Sequence, residues 1–176
     1  MIFYPSNLNG LDLKLKRLQN LFNNILPYPE ALKYVYGRLY ENEKDGKKCL
    51  EVNLDSKEYK QVFINDKEIF VSAFRIGTEI KYDTLEVDCS LICSGNLETL
   101  YANTKKNDEK FIIEITNVLR RQRYFRVENI ETNFDKIFSG IDTDGMKYRN
   151  MFPFVTVMFT GKVWFHNNCV INVLKY

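Results

Sequence analysis

Between residues 107 and 165 the spacing of apolar side chains changes its period, and that change limits the folds open to the chain. Phe111, Ile112, Ile115, Val118 and Leu119 recur at the spacing of one buried helical face. Asn107 stands where an N-cap would accept from the free amides of the first turn. Asp108 and Glu109 follow it, and Arg120, Arg121 and Arg123 crowd the other end, an order that complements the helix dipole. From Tyr124 the period is two. Tyr124, Arg126, Glu128 and Ile130 point one way, and Phe125, Val127, Asn129 and Glu131 the other. A second run of period two, Phe152 to Phe165, is the most apolar stretch of the chain. It sets Phe154, Thr156, Met158 and Thr160 against Val155, Val157 and Phe159. Helix, strand, loop and strand in that order predict a helix laid on a sheet, with Val157, Phe159, Ile115 and Leu119 in its core.

The loop between the two strands, residues 135–151, is too long to be a simple connection. Ile137, Phe138, Ile141, Met146, Tyr148 and Met151 give it apolar surface to bury, and Arg149 adds a fork of donors. The expectation is a loop ordered by contact with another subunit, through Tyr148, Arg149 and Phe152. The competing expectation is a loop folded back on its own sheet.

Before residue 107 the chain reads as one helix and several strands. Leu11, Leu15, Leu18, Phe22 and Ile25 predict a helix over about residues 9–26, stopped by Pro27 and Pro29. It packs either on this chain's own sheet, the simpler outcome, or on a neighbouring subunit. Tyr34–Tyr40 and Cys49–Leu54 flank the polar run ENEKDGKK, a predicted hairpin with a long mobile tip. Tyr59–Ile64 and Glu68–Phe74 flank Asn65-Asp66-Lys67, a second predicted hairpin. Thr84–Ser94 alternates with Leu85, Val87, Cys89, Leu91 and Cys93 on its dry face. A short helical turn fits residues 96–104, and Cys169–Leu174 reads as a last strand. The sum is an α+β chain, one domain over residues 1–176, with a curved, mainly antiparallel sheet of about seven strands packed with two helices.

This order of helix, edge-to-centre strand, long loop and return strand, together with the segments FRVENI and FPFVTVMFTGKVWF, resembles the core of tail-terminator and neck-ring (tail completion) proteins of tailed bacteriophages. The likeness covers the last third of the chain, and neither segment is a diagnostic motif. The resemblance implies a structural virion protein, a subunit of a homo-oligomeric ring in the neck or tail that joins capsid to tail. Its partners would be further copies of itself and neighbouring neck or tail proteins. Such a protein would be assembled in the cytoplasm of the bacterial host and would need no cofactor. No catalytic residue is carried over from that family.

The residues themselves argue against an enzyme. His166 is the only histidine, and it sits in a predicted turn beside Asn167 and Asn168, without a partner in reach. A dyad with Cys169 has no reason to align. Asp142-Thr143-Asp144-Gly145 opens like a calcium loop, but the closing glutamate position is Pro153, so a turn is the better reading. Cys89 and Cys93 stand about 13 Å apart on one strand, too far to bridge. With Cys49 and Cys169 they read as reduced, mostly buried thiols. A net charge of +2 gives no overall pull toward nucleic acid or membrane. The N-terminus lacks the basic lead and apolar run of a signal peptide, and no stretch has the roughly 18 apolar residues of a membrane span. The alternative function is a nucleic-acid-binding module built on Arg120, Arg121, Arg123 and Arg126, with Tyr124 and Phe125 stacking on bases. Strand alternation is expected to split that cluster between two faces.

Overall fold

Two parallel pairings in an otherwise antiparallel sheet set the topology. The structure is a computed structural model that describes residues 2–3, 10–54, 59–63, 70–81, 86–101, 107–146 and 152–164, with backbone alone at 2–3 and 78–81. In chain order it comprises β1 (Ile2–Phe3), α1 (Gly10–Ile25), β2 (Lys33–Lys44), β3 (Lys47–Asn53), β4 (Tyr59–Gln61), β5 (Phe70–Lys81) and β6 (Glu86–Asn96). Then follow α2 (Leu97–Tyr101), α3 (Asp108–Arg120), β7 (Phe125–Glu131), α4 (Phe134–Ile137) and β8 (Phe154–Trp164). The strands form one open sheet in the order β4-β3-β2-β5-β6-β8-β7, with β1 beside the start of β2. All neighbours are antiparallel except β2 with β5 and β1 with β2. Register shifts in β2–β5, β5–β6 and β7–β8 bend it. The fold is α+β with a curved, mainly antiparallel sheet, as the alternation predicts.

The first hairpin has no long tip. β2 and β3 stay paired through ENEKDGKK as far as Lys44 opposite Lys47. Asp45 (φ 52°) and Gly46 (φ 73°) close it as a two-residue turn whose left-handed backbone matches the strand twist. Polarity in that run marks a solvated strand end, not a loop. The second predicted hairpin does not form. β4 pairs with β3, while β5 lies parallel to β2 on its other side. The chain leaves β4 through Phe63, at φ 71°, and Val62 and Phe63 are buried beneath the sheet. The turn residues 65–67 lie outside the described residues, as do His166, Cys169 and the strand predicted over 169–174.

The sheet has two dry faces. α1 and α3 cover the first, joining Leu15, Leu18, Phe22, Phe111, Ile115 and Leu119 to Phe74, Leu91, Val157 and Phe159. Ile115, Val157 and Phe159 are fully buried, as the helical and strand periods require. Lys33 donates to the carbonyls of Asn23 and Leu26 and so satisfies the end of α1, where Pro27 stops the helix. α1 therefore packs on its own sheet. The helical turn expected near residue 96 is α2. Asn107 makes no side-chain cap, since its φ of −120° and ψ of 28° are not the extended geometry that aims a cap at the first amides.

The second face is closed by the long loop. The loop opens with α4, capped by the Asn133 side chain, which accepts from the amides of Asp135 and Lys136. Phe134, Ile137, Phe138, Ile141 and Met146 then bury against Tyr36, Leu50, Val71 and Ile92. Over residues 135–146 the expectation of order borrowed from another subunit is thus corrected: the apolar side chains dock on this chain's own sheet. Ile92 and Ser94 of β6 are buried there too, so only the first part of that strand has a wet face. Beside the two expected helices stand α2, where a helical turn was expected, and α4, which was not expected. Both are too short for a periodic signal to show.

Candidate functional site

α3 and β7 form one flank of the molecule, and its features differ at the two ends. The turn joining them is built by Gln122. Its Nε2 donates to the carbonyls of Leu119 (2.8 Å) and Phe125 (2.6 Å), and its Oε1 accepts from the amides of Tyr124 and Phe125 (2.7 Å to the latter). One amide side chain thereby replaces the backbone partners that the end of α3 lacks. Gly161 of β8 lies opposite Val127. A Cβ on Gly161 would stand 1.8 Å from the Arg126 carbonyl oxygen, so only glycine lets β7 come this close. The register then slips between Val127 and Asn129. The extra residue, Glu128, overturns the predicted alternation: Ile130, opposite Phe159, is turned to the helix side with Phe125 rather than to the side of Arg126.

Alternation does set Arg126, opposite Lys162, on the other side of β7 from Phe125, opposite Val163, yet both border one groove at the strand edge. Arg120, Gln122, Arg123, Phe125, Arg126, Ile130 and Trp164 line one open groove of about 400 Å³. Arg120, Arg121, Arg123 and Arg126 are exposed, and none has an ion-pair partner among the described residues. The rings expected to stack on bases are both committed. Phe125 is in the core, and Tyr124 is covered by Lys14, whose Nζ stands 4.4 Å from the ring centre. The half-buried Trp164 is the aromatic side chain that lines the groove beyond the core, and only the strand pairing places it there.

At the other end of α3, Asn107, Asp108, Glu109, Lys110 and Ile113 border an open hollow of about 510 Å³. Beside it a groove of about 450 Å³ is lined by Leu97, Ile112, Thr132, Phe152 and Phe154. Phe152 is 57 % exposed and Ile113 56 %. Of the loop residues expected to make contacts, Phe152 is thus free to do so, while Tyr148 and Arg149 lie outside the described residues. In the middle of the helix the Glu114 carboxylate accepts from Tyr101 (2.6 Å) and Tyr28 (2.8 Å), whose hydroxyl oxygens stand 2.8 Å apart. Burial first, and hydrogen bonding with it, pushes both phenols upward, so they stay protonated and act as fixed ties between α3, α2 and the segment after α1.

Asp142 and Asp144 face Lys47, at 3.4 and 2.8 Å, and Asp144 donates its amide to the Asp142 carboxylate. That is a turn pinned to the β2–β3 hairpin, as its sequence suggests. Cys49, Cys89 and Cys93 are buried free thiols, and burial pushes those of Cys89 and Cys93 up. No family model, curated protein or solved structure matches the chain.

Proposed function

We propose that the chain is a structural, non-catalytic subunit of a homo-oligomeric ring, of the kind that joins capsid to tail in the neck of a tailed phage. The observation carrying the reading is that, among the described residues, the sheet is open at two unlike ends. β7 presents a free edge with Ile130 exposed at 39 %, and β4 presents one with Tyr59 exposed at 45 %. Open edges template pairing with another chain. Ring closure needs a heterologous contact, in which two different surfaces of each subunit meet. The helix, strand, loop and return strand of α3, β7 and β8 support the phage assignment by resemblance. On this reading the protein assembles in the host cytoplasm and ends in the virion, and the exposed Phe152, with Tyr148 and Arg149, docks a neighbouring neck or tail protein.

Native mass measurement and electron microscopy of the purified chain test the ring. A closed cyclic species is expected, and a species of one or two copies at every concentration overturns it. Phage particles made without the chain should accumulate as unjoined heads and tails.

A second reading, a nucleic-acid-binding module, draws on the unpaired arginines around the Trp164 groove. Its signature is DNA binding that weakens steeply with salt and with Arg123→Ala.

A further inference from the structure

The outward side of α3 carries a pattern that the fold does not use. Glu109, Ile113, Asn117 and Arg120 follow at steps of four, four and three, one stripe of the helix, and all are exposed. Glu109 and Arg120 have no ion-pair partner among the described residues, and neither do Asp108 and Arg121 beside them. The third charge at the acidic end, Lys110, is drawn aside, its Nζ 4.5 Å from the Tyr101 ring centre. One end of the helix is therefore acidic around an open hollow and the other is a cluster of free arginines. Ile113 stands between them, more than half exposed.

Complementing the dipole accounts for the order of these charges but leaves the apolar Ile113 in water. A second copy of the chain answers both features. Turned end for end, α3 presents its arginines to the acidic hollow of the first copy, and the first does the same in return. Ile113 of each then packs near Asn117 of the other, because positions 109 with 120 and 113 with 117 are placed almost symmetrically about the middle of the helix. We propose that α3 pairs antiparallel with α3 of a second copy about a two-fold axis, with Arg120 and Arg121 of each copy seated against Asp108 and Glu109 of its mate. Such an isologous contact differs in kind from the heterologous one a ring needs, so the two can coexist or fail separately. The area on one helix is small and the pairs are exposed, so the contact is weak and salt-sensitive.

Two single charge reversals test it, with mass measured at low salt and high protein concentration. Glu109→Arg sets like charges at both ends of a self-pair, and so does Arg120→Glu. Each variant alone should halve the mass of the wild-type species. Mixing the two in equal amounts matches both ends again and should restore it, through pairs that contain one copy of each. Restoration also excludes misfolding as the cause of the loss. A wild-type protein that is monomeric under these conditions overturns the pairing, and so does an assembly whose mass neither reversal changes. In the latter case the ring reading survives. A wild-type dimer that each reversal splits and the mixture rebuilds supports the pairing while counting against the ring. If Arg120→Glu lowers DNA affinity and leaves the mass unchanged, the arginines serve nucleic acid and the pairing is wrong.

Discussion

The two faces of the sheet are closed by different means. On the first, α1 and α3 lay continuous apolar stripes across the strands, and Phe22, Phe111, Ile115 and Phe159 are sealed completely. On the second, a one-turn helix and an irregular segment do the work: the Phe134 ring packs on Phe138 at 4.7 Å, and Phe138 on Phe63 at 5.6 Å. Both give a dry interior. A helix holds its side chains through its own hydrogen-bond ladder, whereas the loop is held by scattered bonds, such as Asp142 N–H to the Lys48 carbonyl at 2.7 Å. The first face should therefore resist change as a unit, and the second should open locally.

The comparison breaks most visibly at Phe159. Phe159→Ala should cost about 4 kcal/mol, measured by denaturant unfolding, because the helix face cannot collapse around the void. A loss below about 1 kcal/mol would mean the first face is not the rigid one. On the second face, Phe138→Ala should cost about 3 kcal/mol, since the loop can settle into part of the space. Hydrogen exchange in that variant should rise over residues 134–146 while α3 stays protected. Uniform loss across both faces would show a single cooperative unit instead.

Gly161→Ala probes the flank that joins the faces. With the Arg126 carbonyl only 1.8 Å from the new Cβ, β7 must move, at about 2 kcal/mol. The expected readout is lost amide protection in β7 alone, and an unchanged β7 would refute the close approach. The smallest effect belongs to Glu51 on β3. Burial pushes its carboxyl up, but hydrogen bonds from Lys44 and Asn42 outweigh this and hold it below the usual glutamate range. A depressed folded value adds stability above the unfolded value of about 4.3, and the gain is lost as pH falls through the folded one. Glu51→Gln should thus cost about 1 kcal/mol at neutral pH and nothing in strong acid. A difference that persists in acid would rule out the charge as its source.

Much of the first face is legible in the chain itself. Helical spacing in α1 and α3 and strict alternation in β6 and β8 follow from single-residue hydrophobicity, and a buried face demands such a period wherever the element is long enough to repeat. Local chemistry of that kind placed Ile115, Leu119, Val157 and Phe159 correctly. Where it failed, partners distant in sequence decided the outcome. Asn65-Asp66-Lys67 is sound turn chemistry, yet β5 found β2 rather than β4, since strand pairing is chosen by the whole sheet. Alternation placed Ile130 beside Arg126, and a bulge accommodated by Gly161 turned it over. The apolar residues of the long loop announced burial but not the surface that would receive them. The groove joining Arg120 and Arg123 to Trp164 likewise arises only when β8 returns beside β7. Composition and period could state what each segment must bury, because that cost is paid residue by residue; which surfaces meet depends on the free energy of the assembled sheet, which no one segment contains.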